Sequence, residues 1–184
     1  NLQNLDLDIP HNQLVVMTRA ACALDAAGAM HCWGPGIVGQ TLPTGPFVEL
    51  YAGRDATCAV RPDRTVACFY EDVTHGGALE DTPTAPVATM ATDVGWVCAI
   101  EVSGGAYCDT MINHGPALTT PPADPLSQAS AGRDFACGLR VSDGAIVCWG
   151  LPGDEACETG PAVGQLEAPA GAFVALASRN LHSC

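Results

Sequence analysis

Short apolar runs, separated by Gly, Pro and Asp, follow one another along the chain. Typical runs are "FVEL" at 47–50, "CAV" at 58–60 and "TVACF" at 65–69. Runs of this length with such boundaries predict β-strands. No segment combines a sustained 3.6-residue apolar period with helix caps. The pattern therefore predicts an all-β fold.

The runs recur in a fixed order, which is clearest at four pairs of cysteines. The pairs are Cys22 and Cys32, Cys58 and Cys68, Cys98 and Cys108, and Cys137 and Cys148. The leading cysteines of successive pairs lie 36, 40 and 39 residues apart, and a fifth leading cysteine stands at position 184. A period of this length built from short strands predicts propeller blades or a β-solenoid.

The period divides the chain into units at about 14–45, 46–85, 86–125 and 126–171, with a partial unit at 172–184. Residues 1–13 are expected to be an N-terminal edge or closing segment. We interpret the chain as a single repeat domain, β-propeller-like, of about four to five short antiparallel blades. It could close as a small propeller, form an open arc paired with another copy or subunit, or be a processed fragment. We favour closure or shielding by a partner, because an open arc exposes strand edges.

Each cysteine pair has the spacing of a cross-strand disulfide that staples a hairpin. If Cys58 faces Cys68, then Arg61 faces Thr65 and residues 62–64 form a three-residue loop, which is a common hairpin type. Opposed Cα atoms in an antiparallel pair lie about 4.5–5.5 Å apart, and a disulfide spans about 4.4–6.8 Å. The chain contains no C-x(2–4)-C zinc knuckle and no C-x-x-C redox motif. We therefore predict four hairpin disulfides, with the other loops at 26–28, 102–104 and 141–144.

Two further cysteines complete an even total of ten. Cys157 lies in a nine-residue insertion of the fourth unit, and Cys184 begins a fifth hairpin. Because these parts belong to successive units, we predict a disulfide between Cys157 and Cys184. Alternatively, Cys184 pairs with a cysteine further downstream in a longer precursor or with one in another chain.

Charge and composition exclude several classes of function. The net charge is −13, and all seven basic residues are arginine. A chain this acidic does not favour nucleic acid or an anionic membrane surface, and no apolar run approaches the length of a membrane span. The cysteine content is typical of an oxidising compartment. We therefore predict an extracellular, cell-surface or periplasmic protein from which a signal has been removed, without nucleic-acid binding or membrane insertion.

Candidate binding residues are the aromatic side chains that follow the second cysteine of a pair. They are Trp33, Phe69, Tyr70 and Trp149. Packing between blades is the simpler explanation, and stacking on a sugar or peptide is the alternative. His75 and His114 occupy equivalent positions but lack a metal-ligand spacing, and no nucleophile elbow or P-loop is present. We predict no catalytic residue, no metal site and no cofactor.

The repeated "AGRD" element places Arg54 and Arg133 at equivalent positions. We expect these arginines to pair with Asp55 and Asp134 or to bind loop carbonyls, and an anion-binding ring is the alternative. Four of the seven arginines occupy this element or its approximate counterparts: Arg19, Arg54, Arg133 and Arg179.

The order "AG…HSCAL…G…CWG…GQLG" resembles the regulator of chromosome condensation repeat, in the cysteine-rich form of exported bacterial proteins. "HSC" stands at 182–184, "CWG" at 32–34 and 148–150, and "GQ" at 39–40 and 164–165. The resemblance covers nearly all of the chain after about residue 13. It implies a β-propeller, usually of seven blades, that serves mostly as a binding platform.

Members of that family include a nucleotide-exchange factor for a small GTPase, a plant light sensor and a secreted bacterial inhibitor of β-lactamases. No functional residue of theirs matches this chain one by one, so only the scaffold is carried over. We predict a non-catalytic extracellular protein-binding or assembly module, with a protein partner or a copy of itself. A lectin-like carbohydrate-binding propeller is the alternative, and a hydrolase with loop carboxylates is less favoured.

Overall fold

The computed structural model is a series of small antiparallel sheets that follow one another along the chain. It describes residues 14–71, 83–93, 96–110, 120–133, 135–150, 166–179 and 182–183. A short 3-10 turn at Pro35–Ile37, which the sequence did not predict, is the single helical element within these ranges. The strands are β1 Leu14–Val16, β2 Ala21–Leu24, β3 Met30–Trp33, β4 Glu49–Ala52, β5 Ala56–Val60, β6 Val66–Tyr70, β7 Val87–Asp93, β8 Trp96–Glu101, β9 Ala106–Thr110, β10 Leu126–Ala131, β11 Phe135–Arg140, β12 Ile146–Gly150, β13 Ser178–Arg179 and β14 His182–Ser183.

Each repeat forms its own sheet, with its strands paired in sequence order. Sheet 1 contains β1–β3, sheet 2 contains β4–β6, sheet 3 contains β7–β9 and sheet 4 contains β10–β12. Strands β13 and β14 form a two-stranded sheet, which we call unit 5. Every described pairing is antiparallel. The predicted all-β class and the antiparallel blades are confirmed.

The hairpins have the predicted register. Cys58 faces Cys68, and the Arg61 backbone N–H donates to the Thr65 carbonyl at 2.8 Å, which closes the loop at 62–64. The last loop residue, Arg64, has a left-handed φ of 67°. Glycines fill the equivalent position in the other three hairpins, because this backbone region favours residues without a side chain.

All four predicted hairpin disulfides are formed, with Cα–Cα distances of 4.0–4.1 Å. These distances are slightly shorter than the close antiparallel spacing of about 4.5 Å. Disulfides in this number favour an oxidising environment. Cys157 and Cys184 lie outside the described residues, so their pairing stays a prediction.

The first strands of the sheets contact one another in series and turn the sheets into an arc. β1 contacts β4, β4 contacts β7, β7 contacts β10, and β10 contacts β13. We call the first strand of each sheet its inner strand. At each step, a residue at the start of the next inner strand, or up to five positions before it, donates its backbone N–H to the carbonyl of the left-handed turn residue in the preceding sheet. These hydrogen bonds are Phe47 N to Gly28 O at 2.8 Å, Val87 N to Arg64 O at 3.1 Å, Leu126 N to Gly104 O at 2.8 Å and Phe173 N to Gly144 O at 2.8 Å.

Each sheet has a rear face, toward the preceding sheet, and a front face, toward the following one. The disulfides lie on the front faces: Cys58 and Cys68 pack in one core cluster with Met90 and Val97 of sheet 3. Rear-face residues pack backward, as Phe69 does against Cys22 of sheet 1. The core is therefore a series of similar layers between successive sheets rather than one central cluster.

The two ends of the arc are open. Trp33 on the rear face of sheet 1 and Val174 before unit 5 are both exposed. Neither is covered by the other end within the described residues. The predicted closing segment at 1–13 lies outside the described residues, so closure of the ring stays a prediction. In this part of the chain there is also no helix long and apolar enough to cross a membrane.

Candidate functional site

The loops that join the first and second strands of the sheets lie together at one edge of the arc. We call residues 17–20, 53–55 and 132–133 the loop edge. The backbone N–H and the Oγ1 hydroxyl of Thr18 both donate to the Arg54 carbonyl, at 3.0 and 2.9 Å. The Trp96 indole N–H likewise donates to the carbonyls of Gly132 and Arg133, at 3.0 and 3.1 Å. Loops held to the neighbouring sheet in this way form one fixed surface.

Two arginines project from this surface. Arg19 and Arg54 are exposed, and neither forms an ion pair with a described residue. The expected pair between Arg54 and Asp55 is not among the ion pairs of the described residues. Arg54 is exposed and Asp55 is half-buried, and the Asp55 backbone carbonyl accepts the Glu71 N–H at 3.0 Å. Asp134 lies outside the described residues. The loop edge therefore presents guanidinium groups to solvent although the chain as a whole is acidic.

A buried carboxylate holds the first loop in place. Glu71 is 6% exposed, and its Oε1 accepts the Arg19 backbone N–H at 2.7 Å. The Gln40 amide adds support by donating to the Glu71 and Gly36 carbonyls at 2.6 and 2.8 Å. Burial raises the pKa of Glu71, although the hydrogen bonds from the Arg19 and Ala20 amides oppose this shift. Glu71 thus positions the arginine-bearing loop without itself facing solvent.

The opposite edge of the arc, where the hairpin turns lie, uses its arginines differently. Arg64 Nη1 lies 2.9 Å from Glu49 Oε1. Arg140 forms a two-pronged pair with Asp143, with Nε–Oδ1 at 2.9 Å and Nη2–Oδ2 at 2.6 Å. This pair lowers the pKa of Asp143 and raises that of Arg140. These two guanidinium groups are paired within their own sheets, and Arg61 lies over the Phe47 ring at 5.4 Å from its centroid. The hairpin edge is therefore the weaker candidate for binding an acidic partner.

A shallow concavity of about 190 Å³ lies between the inner strands near the axis of the arc. Ligand pockets are commonly about 300–1,000 Å³, so this space does not favour a sizeable small-molecule ligand. Burial raises the pKa of Tyr51 at its wall, and the buried Thr92 hydroxyl has no hydrogen-bond partner among the described residues. The lining residues are Tyr51, Ala52, Met90, Ala91, Thr92, Ala129, Ser130, Ala131 and Ser178.

Three of the four candidate aromatic residues are buried between sheets. Phe69 and Tyr70 are each 2% exposed, and Trp149 is 8% exposed. Burial strongly raises the pKa of Tyr70. A buried ring cannot stack on a sugar, so the packing explanation accounts for these three residues. Trp33 differs, because it is 54% exposed.

The described residues contain no group of three or more His, Cys, Asp or Glu side chains that could hold a metal ion. The candidate residues His75 and His114 lie outside those ranges, as do Cys157 and Cys184. The sequence analysis did not identify Glu71, which is the residue that positions the loop edge. Its signal was a lone acidic residue directly after a buried "ACFY" strand, where the other units carry Pro35, Met111 and Leu151.

No protein-family model matches the chain, and no curated protein matches it. Several solved structures are similar to the chain. The ectodomain of the receptor kinase CR4 from Physcomitrella patens is 24% identical with a TM-score of 0.73, and the match covers 94% of this chain and 49% of that one. The CRINKLY WD40 ectodomain of ACR4 from Arabidopsis thaliana is 23% identical with a TM-score of 0.65, over 91% of this chain and 55% of that one.

A third similar structure is Prp20p of Saccharomyces cerevisiae, reported with its binding properties to Gsp1p and histones. It is 13% identical with a TM-score of 0.66, and the match covers 93% of this chain and 54% of that one. These likenesses establish the propeller-like fold. The chain spans about half the length of the solved structures that it matches.

Proposed function

We propose that the protein is a non-catalytic, extracellular protein-binding or assembly module, built of repeats of the regulator of chromosome condensation type in their exported bacterial form. The loop edge is its binding surface, and the partner contributes carboxylates to Arg19 and Arg54. One observation carries this proposal: interlocked loops hold two exposed guanidinium groups that have no ion pair among the described residues. Loops that are already fixed lose little conformational freedom on binding, and guanidinium groups bind carboxylates in a two-pronged geometry.

Similar structures support a protein partner. Prp20p is described with binding to Gsp1p and histones, and yeast Prp20 has also been solved with Kap60 bound to it, with a TM-score of 0.57 to this chain. The four disulfides support an extracellular setting. The carbohydrate-binding alternative retains one exposed ring, Trp33, and a single ring is a weak basis for a repeated stacking site.

The test is affinity capture from exported proteins of the source cells, followed by calorimetry with each purified candidate. Baits are the wild-type chain and the double variant Arg19→Glu, Arg54→Glu. Arg61→Glu on the hairpin edge is a single charge-reversal control, to be compared also with Arg19→Glu and Arg54→Glu taken one at a time. We expect a candidate to bind the wild type and the control alike and to lose about tenfold or more in affinity for the double variant.

Two results would count against this proposal. A partner that binds the double variant as tightly as the wild type would place the binding surface elsewhere. Binding on a glycan array that disappears with Trp33→Ala would instead support the carbohydrate-binding alternative.

A further inference from the structure

The hairpin edge exposes an apolar residue at the same place in all four sheets. This place is the first loop residue of the hairpin, which is Ala26, Pro62, Val102 or Val141, and all of these residues are exposed. Val102 is 66% exposed and Val141 is 60% exposed, so neither contributes much to the core. Turn positions are usually taken by Gly, Pro, Asn, Asp or Ser. Two valines at such positions therefore call for another explanation.

An exposed proline lies beside each of the two valines. The Val102 N–H donates to the Pro86 carbonyl at 2.8 Å, and the Val141 N–H donates to the Pro125 carbonyl at 2.9 Å. Both prolines are exposed, and each directly precedes the inner strand of its sheet. Sheets 3 and 4 therefore each present an exposed proline and valine that the backbone holds together. We call Pro86, Val102, Pro125 and Val141 the hairpin ridge.

The two halves of the hairpin ridge form one continuous surface. The Leu126 N–H donates to the Gly104 carbonyl at 2.8 Å, which fixes the start of β10 against the hairpin turn of sheet 3. The Pro125 carbonyl and the Leu126 N–H belong to one peptide group. The Val141 nitrogen therefore lies within about 9 Å of the Gly104 carbonyl oxygen. A Cβ atom added to Gly104 would lie only 3.0 Å from the Pro125 Cβ, so the two sheets are in direct contact here.

Carboxylates flank the hairpin ridge. Glu101 and Asp124 each directly precede a ridge residue, and the Asp124 side chain is 58% exposed. Arg140 Nη1 lies 3.9 Å from Asp124 Oδ2, whereas Arg140 Nη2 lies 2.6 Å from Asp143 Oδ2. Glu101 has no ion pair with a described residue. Three carboxylates therefore share one guanidinium group, which leaves a surplus of negative charge around the ridge.

We propose that the hairpin ridge is a second binding surface, and that it binds a protein segment in which lysine or arginine side chains flank aliphatic or aromatic ones. The apolar side chains of the segment pack on the valines and prolines, as exposed apolar patches on proteins commonly require. Its basic groups meet the flanking carboxylates, and an acidic segment is repelled. A ridge held by backbone hydrogen bonds loses little conformational freedom on binding.

This surface is independent of the proposed function at the loop edge. It lies on the opposite edge of the arc, and it takes a partner of the opposite charge. The Arg19→Glu, Arg54→Glu variant should therefore bind a basic segment at least as tightly as the wild type does.

Fluorescence anisotropy of the full chain with three labelled peptides of equal length is the primary test. The peptides alternate Arg with Leu, Arg with Ser, and Glu with Leu. We expect the Arg–Leu peptide to bind at least about tenfold more tightly than either of the others, because it alone supplies both apolar contact and positive charge. Added salt should weaken this binding, because salt screens exposed charges.

Two pairs of variants locate the binding on the ridge. The double variant Val102→Ser, Val141→Ser should lose about tenfold or more in affinity for the Arg–Leu peptide. Its matched control is the double variant Val16→Ser, Val38→Ser, because these valines are 69% and 77% exposed and belong to unit 1. The control should stay within about twofold of the wild type. Circular dichroism checks that each variant folds.

The charge is tested separately with matched glutamates. Glu101→Gln should weaken the binding of the Arg–Leu peptide about two- to fivefold, which is the usual range for an exposed ion pair. Glu167→Gln, at an exposed position outside the ridge, should leave the affinity unchanged.

Several results would overturn the proposal. These are a full chain that binds none of the peptides, equal binding of the Arg–Leu and Glu–Leu peptides, and a Val102→Ser, Val141→Ser variant that binds like the wild type. Vesicles of zwitterionic lipid are a further probe. Cosedimentation with them that depends on the two valines, without peptide binding, would assign the ridge to a lipid surface and exclude the protein segment. Loss of peptide binding in the Arg19→Glu, Arg54→Glu variant would place the site at the loop edge instead.

Discussion

Sheets 1 and 2 present matching rear faces to different surroundings. Trp33 and Phe69 stand at equivalent places after a disulfide-bonded cysteine, yet Trp33 is exposed and Phe69 is buried. The reason lies outside both sheets: sheet 1 covers Phe69, and no described sheet covers Trp33. In a repeat protein the contribution of a side chain to stability therefore depends on its neighbouring unit as much as on its own sequence.

The largest difference is expected between alanine variants of the two aromatic residues. Phe69→Ala should lower the free energy of unfolding by about 3–5 kcal/mol, because it leaves a cavity between sheets 1 and 2. Trp33→Ala should change it by less than about 0.5 kcal/mol in the monomer, because an exposed ring loses little on truncation. Urea denaturation at low protein concentration measures both. Similar losses for the two variants would mean that Trp33 is covered within the monomer.

Removing the disulfide is expected to cost sheet 1 and sheet 2 the same free energy of unfolding. The reason is that both disulfides lie on front faces, whereas the two sheets differ in the burial of their rear faces. Replacing Cys58 and Cys68 with Ala should cost about 2–3 kcal/mol, from the freedom that a short loop regains in the unfolded chain. Replacing Cys22 and Cys32 should cost the same, since both pairs are ten residues apart in sequence. Thermal or urea unfolding of the two double variants provides the comparison. If the two double variants differ by more than about 1 kcal/mol in the free energy of unfolding, packing around the cysteines, and not loop closure, dominates the cost of removing a disulfide.

The contact between Glu71 and the first loop is a smaller link between the sheets. Glu71→Ala should lower the free energy of unfolding by about 1–3 kcal/mol, because it removes a buried acceptor of the Arg19 N–H. Glu167→Ala, at an exposed position, is the control and should stay within about 0.5 kcal/mol of the wild type. If both variants have the same free energy of unfolding, Glu71 does not hold the first loop in place.

The smallest expected effect is a pH dependence of the stability that Glu71 contributes. Burial raises the folded-state pKa of Glu71 above its usual value of 4.5, so the folded chain binds this proton more tightly than the unfolded chain does. The resulting stabilisation is present below the unfolded pKa and is lost as pH rises through the folded pKa. Urea titrations from pH 4 to 7 compare the wild type with Glu71→Gln. As pH rises, the free energy of unfolding of the wild type should fall relative to that of the variant. A shift in the opposite direction would mean that the amide hydrogen bonds outweigh burial.

The sequence predicted the hairpins in detail because their determinants are local. The position of Cys58 relative to Cys68, together with the index sum of an antiparallel pair, fixed the loop at 62–64 before any tertiary contact was considered. The same reasoning located Gly28 and Gly104 as turn residues. Repeat alignment then predicted one sheet per unit, because equivalent sequences form equivalent strands.

What the sequence did not reveal depends on contacts between units. Nothing in the local pattern distinguishes the exposed Trp33 from the buried Trp149, since each follows a cysteine and precedes a glycine. The burial of Glu71 likewise depends on the loop at Arg19, which is 52 residues away in the chain. The cysteine content favours an oxidising environment, but composition does not show which surfaces of the sheets remain uncovered.

The hydrogen bond between each hairpin turn and the next inner strand has a consequence for how such a chain can change. It joins residues that are 19, 23, 22 and 29 positions apart in the four successive units. Closing the longest of these segments costs only about 0.4 kcal/mol more than closing the shortest, because loop entropy grows with the logarithm of length. The segment between the two fixed points can therefore gain residues, as the fourth unit has done around Cys157, while the register of the following sheet is kept. New surface chemistry can arise there at little cost to the scaffold.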